Sequence, residues 1–141
     1  MLTNPFTGQT LTFVSEDDDL LVMETTYEAG GAPAPAHLHP SQEETFEILS
    51  GSVRASIDGE VRILIEGDVL VIPAGTPHEF GGHDENEGTA RWEVRPPLRT
   101  REFFEGLFGA LQAAADAQAA GSAEPPPAFD VADYGDVFRL A

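Results

Sequence analysis

Gly31-Ala32-Pro33-Ala34-Pro35-Ala36-His37-Leu38-His39-Pro40-Ser41-Gln42-Glu43-Glu44-Thr45-Phe46-Glu47-Ile48-Leu49-Ser50-Gly51 is the stretch that decides the fold. His37 and His39 are two apart, and in an extended strand such residues point to the same face, so both imidazoles can converge on one point. Glu44 opens a second extended run in which Glu44, Phe46 and Ile48 share a face. Two apolar side chains behind a carboxylate turn that face inward, where the carboxylate needs a counter-charge. Glu43 falls on the opposite face and reads as solvent-facing. A second segment, Gly67 to His78, has similar punctuation: Pro73-Ala74-Gly75-Thr76-Pro77 returns the chain into a new strand, and His78 could supply a further ligand from across a barrel. Nitrogen and oxygen ligands without thiolate suit a divalent first-row metal. The fourth histidine, His83, lies among Gly, Asp, Glu and Asn and is expected to be exposed.

With both motifs present and in this order, the chain resembles the cupin superfamily, in particular its small single-domain, Cupin_2-like metal-binding members. The span Gly31 to Gly82 carries the likeness. The resemblance implies an all-β double-stranded β-helix, the cupin jelly-roll barrel, and it implies that His37, His39, Glu44 and His78 hold one divalent transition metal ion (Fe, Mn, Ni, Cu or Zn). The family's second motif often ends in asparagine four residues after its histidine, and here that position is Gly82. That asparagine is not a metal ligand, so the ligand set stands without it. Small cupins of bacteria and archaea also resemble this chain in carrying a helical extension after the barrel.

Composition narrows the function classes. The 141 residues suffice for one domain with one core, expected as a barrel over 1–97 and a helical extension packed on it over 98–141. There is no cysteine, which excludes disulfides, thiolate metal sites and cysteine nucleophiles. No leader and no apolar run of membrane-spanning length is visible, so a soluble, cytoplasmic protein is expected. Acidic residues number 25 against 7 basic ones, all arginine, for a formal charge of -18. Such a charge repels nucleic acid and anionic membrane surfaces. Acid excess without lysine also resembles proteins of salt-loving organisms, in which salt screens self-repulsion.

Short strands separated by glycine turns organise the barrel part: Leu11 to Val14, Leu20 to Tyr27, Glu44 to Leu49, Val53 to Ile57, Val61 to Ile65, a buried run Asp68 to Ile72, His78 to Phe80, and Thr89 to Arg95. Ser50-Gly51 reads as a turn and Asp58-Gly59 as a tight hairpin. In the last strand Trp92 and Val94 form the default core face, and Arg91 and Arg95 the outer one, with an arginine reaching a ligand carboxylate as the alternative. After Pro96-Pro97 the period changes, and Phe103, Phe104, Leu107, Phe108 and Leu111 trace one face of a helix running to about Ala120, with Thr100 as a possible cap. That face is expected to pack on the outer sheet, a lid or a dimer contact being the alternatives. Gly121 to Pro127 reads as a connector, and Phe129 to Leu140 as a short helix folded back on the domain.

Met23, Phe46, Ile48, Phe80 and Trp92 are the expected pocket lining, suited to a small cyclic or aromatic ligand. No separate general base stands out, so Glu44 is the catalytic candidate, able to loosen from the metal and take a proton. The expected function is a metal-dependent small-molecule enzyme, a dioxygenase or an isomerase/cyclase; the alternative is a non-catalytic binding or sensing module. Exposed barrel edges and the phenylalanine-rich helix suggest a homodimer.

Overall fold

In a computed structural model, residues 1–121 and 129–141 are described, and among them the chain forms ten strands and one α-helix. The strands are β1 (Leu2–Thr3), β2 (Thr10–Glu16), β3 (Leu21–Tyr27), β4 (His37–Leu38), β5 (Glu43–Ile57), β6 (Glu60–Ile65), β7 (Val69–Ile72), β8 (His78–Gly82), β9 (Gly88–Arg95) and β10 (Arg139–Leu140), with α1 (Thr100–Ala119) between the last two. All pairings are antiparallel. One face runs β1-β2-β3-β9-β5-β7, the other β6-β5-β8-β4-β10, and β5 belongs to both. This is the double-stranded β-helix expected, with a C-terminal helix.

The expected turn at Ser50-Gly51 is instead a bulge inside a single 15-residue strand. The pairing with β9 slips between Ile48 and Ser50, and Gly51 takes φ +65, which bends the strand so that its first half pairs with β7 and β9 and its second with β6 and β8. A Cβ at Gly51 would lie 1.8 Å from the Glu87 carbonyl oxygen, so the bend needs glycine twice over. Gly82, the residue in the place of the family's asparagine, also has no room: a Cβ there would meet the Glu28 carbonyl oxygen at 1.9 Å.

The core fills the space between the two faces. Phe46 stacks on Phe80 at 4.0 Å and on Trp92 at 5.1 Å, with Leu11, Leu21, Met23, Ile48 and Val94 wholly buried around them. Trp92 and Val94 do face inward, while Arg91 and Arg95 pair on the outer face with Glu93 at 3.4 and 2.6 Å. β7 corrects the expectation of a buried run, because Val69 and Val71 are 60% and 50% exposed and only its last residue, Ile72, is buried. It is an edge strand with one wet face.

α1 also departs from expectation. Its buried Phe103, Phe104 and Phe108 turn toward the barrel's interior rather than onto an outer sheet, and Phe104 meets Trp92 edge-on at 5.1 Å. Thr100 does not cap the helix; its hydroxyl accepts from Gln42 Nε2 at 2.7 Å. The final segment forms a short 3₁₀ turn, Val131–Tyr134, and then β10 rather than a helix, because its end pairs with β4. The connector expected over Gly121 to Pro127 lies, beyond Gly121, outside the described residues. No helix among the described residues is long and apolar enough to cross a membrane.

Candidate metal centre

Strand register assembles the site. β4 pairs with β8 so that His37 stands opposite His78, and His39 follows two residues on. The first half of β5 brings Glu44 up from the other face, between Ile72 and Val94. The ligand atoms of His37, His39 and His78 lie within 4.8 Å of one another. Glu44 Oε1 is 2.9 Å from His39 Nε2 and 3.0 Å from His78 Nε2. The cluster is buried, with Glu44 only 1% exposed.

Hydrogen bonds settle which ring nitrogens face inward. His37 Nδ1 donates to the Pro35 carbonyl at 2.7 Å, His39 Nδ1 to the Val137 carbonyl at 2.6 Å, and His78 Nδ1 to the Thr76 carbonyl at 2.8 Å. A carbonyl can only accept, so in each neutral ring the proton is on Nδ1 and the lone pair on Nε2. Three Nε2 lone pairs and one carboxylate oxygen therefore share one small volume. His39 Nε2 and Glu44 Oε1 are both buried without a hydrogen-bond partner. Two acceptors at 2.9 Å are tolerable only with a proton or a cation between them, and three imidazoles with a carboxylate make a donor set that suits a divalent first-row metal.

The charges respond accordingly. Burial by itself would push the Glu44 carboxyl up, but His39 and then His78 hold it below the usual carboxylate range. For His39, burial is outweighed by the Glu44 charge and the ring is more basic than usual. For His37 the Glu44 charge is outweighed: burial, reinforced by His78, lowers its pKa from 6.5 to about 4. Burial likewise raises Tyr27, with the Glu44 charge adding to it.

Beside the cluster lies a cavity of about 310 Å³, bordered by His37 and His78. Phe46, Phe80 and Trp92 border it, whereas Met23 and Ile48 are buried in the core and are not among its lining residues. Tyr27, Phe103, Phe104, Phe108 and Phe138 complete its aromatic wall, with Asn4 and Gln9 adding amides. Among the described residues, no carboxylate, lysine or arginine lines it. His83 stands apart from the cluster, half-buried rather than exposed, its Nδ1 bonded to the Ser52 hydroxyl at 2.9 Å.

Two contributors were not legible in the sequence. Gln42, 1% exposed between His39 and Glu44, donates through Nε2 to the carbonyls of Pro96 and Pro97 at 2.8 and 2.9 Å, tying the approach to β5 to the segment that leads into α1. A glutamine among acids in a loop carries no signal of that role. Val137 acts through its backbone, which no side-chain pattern reveals.

Residues 23–94 match the family profile described as the cupin domain (Cupin_2). None of the curated proteins matches the chain. Among solved structures, KdgF from Halomonas sp. is similar at 24% identity and TM-score 0.58, over 63% of this chain and 79% of that one. The DMSP lyase DddQ from Ruegeria pomeroyi aligns at 28% identity and TM-score 0.56, over 64% of this chain and 48% of its own. The polyketide cyclase RemF from Streptomyces resistomycificus aligns at 22% identity and TM-score 0.56, over 62% and 64%.

Proposed function

The chain belongs to the cupin domain family, and from that premise we propose that it is a metal-dependent enzyme acting on a small cyclic or aromatic molecule. The observation that carries the reading is the meeting of His39 Nε2 and Glu44 Oε1 at 2.9 Å, both buried and unpartnered, beside two more inward-facing Nε2 atoms. His37, His39, Glu44 and His78 would hold one divalent ion, Fe, Mn, Ni, Cu or Zn. Bound there, such an ion supplies Lewis-acid or oxygen-binding chemistry at its open positions.

The chain's own residues do the rest. A cavity of about 310 Å³ lies at the small end of ligand sites, which run from ~300 to ~1,000 Å³. Stacked rings at Phe46, Phe80 and Trp92, with Phe104 edge-on to Trp92, favour a flat ligand and exclude water from the reacting end. Among the described residues no cationic side chain lines the cavity, so a bound metal ion would be the only positive charge there to meet an anionic group of a ligand. A proton taken up by Glu44 would go to Oε1, which faces the histidines, since Oε2 is held by Trp92. Oxygenation and isomerisation or cyclisation are both open to this arrangement, and a barrel shared by a lyase and a cyclase does not choose between them. A homodimer is supported by the outer faces of β6 and β7, where Val61, Ile63, Ile65, Val69 and Val71 are exposed.

Elemental analysis of protein purified without chelator, beside a His78→Ala sample, tests the reading. About one equivalent of metal, lost in the variant, is expected. Metal-free native protein that also takes up none on titration would overturn it. Binding of aromatic probes without turnover would instead favour the sensing module, which the lack of a separate acid or base in the lining makes the second reading.

A further inference from the structure

The chain's last residues reach the site from beyond the matched family region, 23–94. The three histidines differ in how they are oriented. His37 and His78 each bond to a carbonyl two residues back, in the segment that leads into their own strand, so these partners are local in sequence. His39 depends on the Val137 carbonyl, 98 residues away in sequence. The next residue, Phe138, stacks on the His37 ring at 4.6 Å and 21° and on Phe103 at 5.0 Å. β10 then pairs Leu140 with His37 and Arg139 with Leu38, and the Ala141 N–H donates to the Ala36 carbonyl at 2.9 Å.

The segment is gripped from outside as well. Arg99, just before α1, donates through Nε to Asp136 Oδ2 at 3.1 Å, through Nη2 to Asp136 Oδ1, and again to the Asp133 carbonyl at 2.8 Å. Its guanidinium also covers the Tyr134 ring at 4.5 Å. A planar, bidentate grip of this kind holds position as well as charge.

We infer that the C-terminal segment Val131–Ala141 is a working part of the metal centre: the Val137 carbonyl and Phe138 are positioning groups for His39 and His37, and Arg99 anchors the segment that presents them. The inference rests on the metal reading above. An outer partner that fixes the tautomer and angle of a ligating imidazole typically carries ~10–100-fold in metal affinity. Here one such partner, the Val137 carbonyl, and one stacking contact, Phe138, come from one strap.

The experiment uses the full chain with Phe138→Ala, Arg99→Ala and Phe138→Tyr. Co²⁺ titration and the visible Co²⁺ spectrum are read in each, and the ¹⁵N shifts of the His39 ring are read in the metal-free proteins. Phe138→Ala and Arg99→Ala should each bind Co²⁺ about tenfold or more weakly, with altered bands and a mixed His39 tautomer. Phe138→Tyr, which keeps the ring, should restore native behaviour. If Phe138→Ala does not fold, Arg99→Ala, on the surface, still decides the matter. Native binding, spectrum and tautomer in both variants would overturn the inference while leaving the metal site standing. If the native protein binds no Co²⁺, the metal reading fails, and the His39 tautomer alone reports whether the strap positions that ring.

Discussion

Trp92 donates its indole N–H to Glu44 Oε2 at 2.6 Å, so that only Oε1 is left to face His39 and His78. The bond follows from register: Phe46 stands opposite Trp92 across β5 and β9, and Glu44 is the diagonal neighbour on the same face, within reach of a long side chain. Half the carboxylate is thereby satisfied by protein and half is presented to the histidines. Trp92→Phe keeps most of the ring and removes the donor. Loss of a buried hydrogen bond to a charged acceptor costs ~1.5–3 kcal/mol, so denaturant unfolding should show a decrease of that order together with weaker metal binding. Unchanged stability and affinity would mean that Glu44 is held by other contacts.

Acid should loosen the metal-free protein through His37. Its folded pKa, about 4, is below the ordinary 6.5 because burial, then His78, disfavours its charged form. A depressed pKa contributes stability that is full above pH 6.5 and is lost as the pH falls through about 4. Glu44, also depressed, acts in the same direction below its ordinary 4.5. His39, raised, opposes both: its contribution is present below 6.5 and disappears as the pH rises through its folded value. The melting temperature of metal-free His37→Gln should therefore fall less than the native value between pH 6.5 and 4.5. Parallel curves would remove His37 from the account.

The bend in β5 is predicted to be intolerant of any side chain. Gly51→Ala would force a positive φ on alanine and drive a Cβ into the Glu87 carbonyl, and strained backbone of this kind costs ~1–3 kcal/mol before the clash is counted. Because the bend delivers Glu44 to one face and Ile57 to the other, the variant should also lose metal content. Equilibrium unfolding and elemental analysis of one preparation check both, and a native-like variant would show that the bulge can relax.

Salt should stabilise the native protein. With a formal charge of -18, the folded state concentrates like charges that 1 M salt screens to within ~3 Å. The melting temperature is expected to rise steadily from dilute buffer to molar potassium chloride. A flat or falling curve would mean that ion pairs such as Arg99 with Asp136 outweigh the general repulsion.

The sequence by itself determined the barrel and pointed to His37, His39, Glu44 and His78 as a group, through short-range spacing and the resemblance to cupins that this spacing carries. The i, i+2 relation of His37 and His39, the glycine and proline turn before His78, and the alternation Glu44-Phe46-Ile48 each need only strand geometry to be read. What only the tertiary structure decided is where long strands cross and where the chain end lands. Ser50-Gly51 has the composition of a turn, and whether it reverses a chain or bends a continuous strand depends on the partners available to each half, here β9 on one side and β6 with β8 on the other. Val69 and Val71 looked buried because an apolar run carries no record of which sheet edge it will occupy. The phenylalanines of α1 announced an apolar face but not whether it would cover a sheet or the barrel's cavity. Val137 was invisible because its part is played by a backbone carbonyl, a group every residue possesses, and only folding brings that carbonyl within 2.6 Å of a histidine 98 residues earlier.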